Sequence, residues 1–119
     1  MACDSTIQGT LLIDDQQVGI ERCDTSQRFD QQGVELVLER GDRVRALFSG
    51  PLGATQRVLI LLYDPDTETL VEYGDCATGL IELDNFSVRG LDAVRGDVRI
   101  ECREIMPHIV GDLRFSGCA

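Results

Sequence analysis

The sequence predicts an all-β domain: a single antiparallel β-sandwich or flattened barrel of about nine short strands, held by disulfide bonds. Three observations carry that expectation. Apolar and polar residues alternate with period two along most of the chain, the signature of half-buried strands. Turn residues return every ~8–12 positions, the spacing of short strands in sandwiches and barrels. Five cysteines stand in 119 residues with no C-x-x-C pair, which suits an oxidised scaffold better than a zinc knuckle or a dithiol redox motif.

The elements follow in chain order. Residues 6–13 form the opening strand, with Ile7, Gly9, Leu11 and Ile13 on one face. Asp14-Asp15-Gln16-Gln17 turns the chain into a strand over 18–23, and the polar residues 24–28 are expected as a loop. Residues 34–39 and 43–48 make a hairpin; centred on Gly41, it sets Leu38 opposite Val44, Leu36 opposite Ala46 and Val34 opposite Phe48. Glu39 then opposes Arg43, a favourable cross-strand charge pair. Gly50-Pro51-Leu52-Gly53 is a strong turn signal. Residues 57–63 behind it are apolar on both faces and read as a central strand covered on both sides. Asp64-Pro65-Asp66-Thr67 leads into a strand over 70–73, and further strands are expected over 79–83, 86–89, 97–102 and 109–115. Residues 91–94 could form one helical turn at most; no window carries a sustained 3.6-residue stripe.

This organisation is a tail over 1–5 and one domain over 6–119. At 43% hydrophobic the chain fills a modest core, which excludes a disordered tail. The longest apolar run, residues 58–63, is strand-sized, far from the roughly 20 residues of a spanning helix. With 21 acidic and 11 basic residues the formal charge is −10, which speaks against nucleic acid and anionic lipid as partners. All the basic residues are Arg and none is Lys, a usage that fits the codon bias of a GC-rich genome, with a halophile-type acidic surface as the alternative. Ala2-Cys3 followed by Asp4-Ser5 resembles the end of a bacterial lipobox, which makes Cys3 a candidate lipidation site, with a plain exposed thiol near the terminus as the alternative; the membrane would be reached only through such an anchor.

The expected disulfide cysteines are Cys23, Cys76, Cys102 and Cys118, with Cys3 left over because it precedes the first strand. If residues 97–102 and 109–115 form a hairpin with their apolar faces inward, Cys102 lies opposite Ile109 and Val98 opposite Leu113. Cys118 is then ~30 Å from Cys102 at ~3.3 Å per residue, beyond the ~7 Å Cα limit of a disulfide. Two pairings stay open. Closing the sheet by setting the first strand against the last favours Cys23–Cys118 with Cys76–Cys102.

Other constellations point to bland roles. His108 is the single histidine, too few for a His-rich metal site, and reads as a loop residue. Asp64, Asp66 and Glu68 form a weak Ca²⁺ candidate, since calcium asks for about six to eight oxygens and a distant bidentate Glu; a Pro-preset turn explains the same residues. Asp14-Asp15 is a second acidic tip that could join them at one end of a sandwich. Arg40-Gly41-Asp42 reads as a hairpin tip in which Gly serves the turn. The absence of Trp disfavours a carbohydrate platform. No catalytic residue set emerges, and no cofactor is expected beyond the Ca²⁺ candidate.

The succession of short motifs carries a resemblance. A Gly-Thr-Leu-x-Ile-Asp strand over 9–14 precedes Cys23 and its Ser26-Gln27 loop; Gly33-Val34-x-Leu36 and Cys76 follow. Next come a Val-x-Gly-x-x-x-Val-x-Gly segment over 88–96, a strand ending in Cys102 and a closing strand before Cys118. This order resembles small four-cysteine secreted or lipoprotein β-domains of myxobacteria and their relatives, a family without established activity. The resemblance implies four structural cysteines with Cys3 apart, and an extracytoplasmic location.

The expected function is a non-enzymatic surface module, secreted, periplasmic or anchored at the outer membrane, that binds a protein partner. A structural subunit that self-associates through edge strands is the first alternative. A small hydrolase or Ca²⁺-dependent binding domain is the second.

Overall fold

The structure, a computed structural model, describes residues 6–28, 31–88 and 91–118. Ten strands make it up: β1 (Thr6–Ile13), β2 (Gln16–Gln17), β3 (Ile20–Arg28), β4 (Gln31–Leu38), β5 (Arg43–Phe48), β6 (Gln56–Asp64), β7 (Thr69–Tyr73), β8 (Ala77–Val88), β9 (Leu91–Cys102) and β10 (Ile109–Cys118). They form one antiparallel sheet in the order β2-β1-β10-β9-β8-β6-β5-β4-β3, with β7 also against β6. The sheet curls, so that two halves face each other. Val34, Leu36, Val44, Ala46, Phe48 and Ile60 from β4, β5 and β6 share one core with Leu11, Ile13, Ile81, Val98, Ile100 and Leu113 from β1, β8, β9 and β10. At roughly 1.5–3 kcal/mol for each fully buried aliphatic side chain, this inner layer is the main source of stability.

Closure follows the expected logic. β1 lies against β10 from Thr6↔Ser116 to Ile13↔Ile109. β10 lies against β9 with Ile109↔Cys102 and Leu113↔Val98. Cys23 is bonded to Cys118 and Cys76 to Cys102, with Cα separations of 5.1 and 5.0 Å. The first bond ties the β3–β7 half to the half built from β8, β9, β10, β1 and β2. The second lies where β8 begins. In β1, Gly9 has φ +114° and an added Cβ would fall 2.0 Å from the Asp112 carbonyl oxygen, so only glycine fits this approach of β1 to β10.

Several local expectations are corrected. Residues 24–28 are strand and not loop, paired from Asp24↔Glu35 to Arg28↔Gln31; the outermost strand takes its place by backbone pairing and needs no apolar alternation on its water side. The β4–β5 hairpin pairs Leu36 with Val44 and Val34 with Ala46, two residues away from the expected register. The Leu38 amide donates to the Asp42 carbonyl and the Gly41 amide to the Leu38 carbonyl, so the loop takes up Leu38 and Glu39. Glu39 therefore does not face Arg43. Its amide donates to the Gly19 carbonyl, and the strand expected over 18–23 begins instead at Ile20. Residues 91–94 are not helical: Val94 pairs with Leu83, Asp92 with Ser87 and Leu91 with Val88. β8 is correspondingly one long strand with a register shift between Leu83 and Ser87, where two short strands were expected. Arg89, the end of the second of these, lies outside the described residues, as do Cys3 and the rest of the 1–5 tail.

Candidate functional site

The site arises from how β6 changes partners. Its first residues pair with β8, Gln56↔Gly79 and Arg57↔Thr78. From Ile60↔Tyr73 to Asp64↔Thr69 it pairs with β7. β7 and β8 thus run in line along the same side of β6, interrupted at Gly74, Asp75 and Cys76. β9 follows β8 as far as the amide of Glu101, which donates to the Cys76 carbonyl at 2.9 Å. Beyond Cys102 the chain leaves that line. The fork encloses an open groove of about 870 Å³ with the Cys76–Cys102 bond in its lining.

Three guanidinium groups and three carboxylates line this groove: Arg57, Arg99 and Arg103 with Asp75, Glu101 and Glu104. The register explains part of the gathering, since Arg57, Thr78 and Arg99 stand side by side on adjacent strands. Arg57 Nη1 lies 3.2 Å from Asp75 Oδ1, and Arg99 Nη2 lies 3.3 Å from Asp112 Oδ2. These side chains are 69–81% exposed, so each pair contributes little stability and stays available to a ligand. Ile105 adds an exposed apolar side chain at the rim.

The far wall is pinned from both sides. Tyr73 Oη donates to the Pro107 carbonyl at 2.5 Å. The His108 amide donates to Asp14 Oδ1 at 2.9 Å, and the Asp14 amide donates to the His108 carbonyl at 2.9 Å. Burial pushes the Tyr73 hydroxyl up to about 12, with the Asp14 carboxylate adding to the effect, so the phenol is neutral and serves as a donor. Asp14 and Asp15 can play this part because both adopt positive φ, 50° and 66°, as a two-residue hairpin turn requires. His108 enters through its backbone.

The sequence candidates are distributed otherwise. Cys76 and Cys102 belong to the groove; Cys23 and Cys118 close the sheet on the far side of the β3 half. Asp64 Oδ1 accepts the Asp66 amide at 3.0 Å, and Glu68 holds the positive-φ position of the turn at 54°. Among the described residues no three His, Cys, Asp or Glu side chains are gathered to hold a metal ion. Arg40 Nη2 closes on Asp42 Oδ2 at 2.7 Å, turning the tripeptide's charges on each other. The groove itself was missed by sequence reasoning. Its one local signal is Gly74-Asp75-Cys76 breaking an otherwise continuous apolar alternation.

The fold and groove define a class: a doubly stapled all-β domain with an open strand fork. No protein-family model, curated protein or solved structure matches the chain.

Proposed function

We propose that the protein is a non-enzymatic extracytoplasmic β-domain, secreted or anchored through a lipid on Cys3, that binds a protein partner at the fork between β7 and β9. The observation that supports the reading most is the groove of about 870 Å³ at the end of a strand, β7, that among the described residues is paired along one edge only. It offers backbone hydrogen-bonding groups together with exposed charges of both signs, a combination suited to holding polypeptide. The two disulfide bonds add support for location, because such bonds persist in oxidising compartments.

Photo-crosslinking tests this. Benzoylphenylalanine in place of Thr78 or Glu104 probes the groove, and the same group in place of Arg114 probes an exposed position away from it. In the extracytoplasmic fraction the groove positions are expected to give a discrete protein adduct that Arg114 does not. Equal adducts from both surfaces, or none from the groove, would overturn the reading. An adduct at twice the mass of the chain would replace it with self-association.

A further inference from the structure

We infer that the open edge of β7 takes up an extended, positively charged polypeptide segment as an added strand, seated between β7 and residues 103–105. The inference rests on the protein-binding reading above and names its partner's chemistry. β7 pairs with β6 along one edge, and among the described residues no strand pairs with the other. Such an edge presents a row of free N–H and C=O groups, the template that strand addition uses. The remaining ends of the sheet are less inviting. Among the described residues the outer edge of β3 and that of β1 before Leu11 are open as well, but neither borders the groove, and β2 is two residues long.

Space and charge select the occupant. A straight continuation of β9 would lie beside β7; instead residues 103–108 turn off toward Asp14, and the vacated lane is the groove. Tyr73 brings the end of β7 to the groove, and Thr69, Leu70 and Glu72 are exposed further along the strand. Between Arg57 and Arg89 the chain carries Asp64, Asp66, Glu68, Glu72, Asp75, Glu82 and Asp84 and no basic residue. The groove lining itself is balanced, three guanidinium groups against three carboxylates, so the charge that favours a cationic strand is that of Glu68 and Glu72, at the start of β7 and on it. An incoming strand with Lys or Arg at alternate positions would set cations on the face of Glu72, as favourable cross-strand pairs. A second copy of this chain would bring the same acidic stretch and meet repulsion, so the segment belongs to another protein.

The probe is a short synthetic peptide alternating Lys and Val, with a Glu–Val peptide as its counterpart. Binding to the intact oxidised protein is followed by amide hydrogen exchange and by titration at rising salt. The Lys–Val peptide is expected to bind, to slow exchange within Thr69–Tyr73, and to weaken as salt screens the charges. Glu72→Arg should weaken it about tenfold, equivalent to about 1.4 kcal/mol. Gly74→Trp blocks the groove at a position where an added Cβ meets nothing within 4 Å, so the fold should tolerate it while binding is lost. Equal binding of the Glu–Val peptide, protection away from β7, or indifference to both substitutions would overturn the inference. If these negative results accompany a groove-specific photo-adduct, the protein-binding reading stands and only the basic added strand fails.

Discussion

The outward faces of the two halves are built on different plans. Outside β4, β5 and β6, Val37, Leu47 and Leu61 are buried at 7, 1 and 3% exposure, although they point away from the shared core. Arg45 lies directly across from Leu61 and Arg43 across from Tyr63. Both guanidinium groups reach Glu35, at 2.7 and 3.3 Å. Arginine stems roof the leucines, as long charged side chains do when their heads stay in water. A shallow dish of about 280 Å³ remains, lined by Glu35, Arg43, Arg45, Leu61, Tyr63 and Leu70. Outside β8, β9 and β10 the described charge pairs lie over fewer apolar side chains: Arg95 pairs with Glu82 at 3.2 Å, half-exposed, and Arg99 with Asp112 at 3.3 Å, in open water. An apolar strand face can therefore be covered without a second layer, provided the cross-strand neighbours are long enough. The expectation that residues 57–63 are covered on both sides holds at Leu61 only; on the same outward face Leu59 is half-buried and Arg57 and Tyr63 are exposed.

The bond joining the halves gives the largest expected effect. Replacing Cys23 and Cys118 by Ser releases a sequence separation of 95, against 26 for Cys76 and Cys102. In the chain-entropy picture these are worth about 4.7 and about 3.5 kcal/mol. Urea unfolding of the two double variants should show the first to be the more destabilised; the reverse order would mean that the halves hold together without their bond. Next comes the roofed face. Leu47→Ala should cost about 2–4 kcal/mol by leaving a cavity, whereas Arg99→Ala on the open face should stay within about 0.5 kcal/mol. A Leu47 variant as mild as the Arg99 one would show the roof to be loose.

The smallest effect concerns the pin between the halves. Tyr73→Phe loses the bond to the Pro107 carbonyl, worth about 1 kcal/mol at neutral pH. The folded state raises the Tyr73 pKa from 10.0 to about 12, so its contribution is complete below pH 10 and is lost as the pH rises through about 12. Unfolding midpoints measured across that window should fall more steeply for the wild type than for Tyr73→Phe. Parallel curves would mean that the hydroxyl is not held neutral in the fold.

Much of this architecture was legible because period two dictates it. Residues 6–13 alternate cleanly and are the observed β1, and the inward set Val98, Ile100 and Cys102 faces Ile109 and Leu113 as its spacing requires. That register also separated the correct disulfide pairing from a sequence-neighbour pairing. The failures share a cause. Residues 24–28 and 91–94 are strands because a partner strand lies alongside, and hydropathy does not record partners. The β4–β5 register depends on how many residues the Gly41 loop takes up. Half of the groove was readable in Cys76 and Cys102. Arg57, Arg99 and Arg103 were not, since they meet only because β6 exchanges β8 for β7 along its length.

The bond between Cys23 and Cys118 also sets a clock. Cys118 stands 95 positions downstream of its partner, so Cys23 must wait as a thiol until all of those residues have been made. β1 waits too, because its mate β10 is the final strand. Cys76 meets Cys102 much earlier. An oxidase acting on the emerging chain would therefore find Cys23 and Cys76 both exposed, without Cys118, and the native pairing depends on Cys23 being spared until Cys118 arrives.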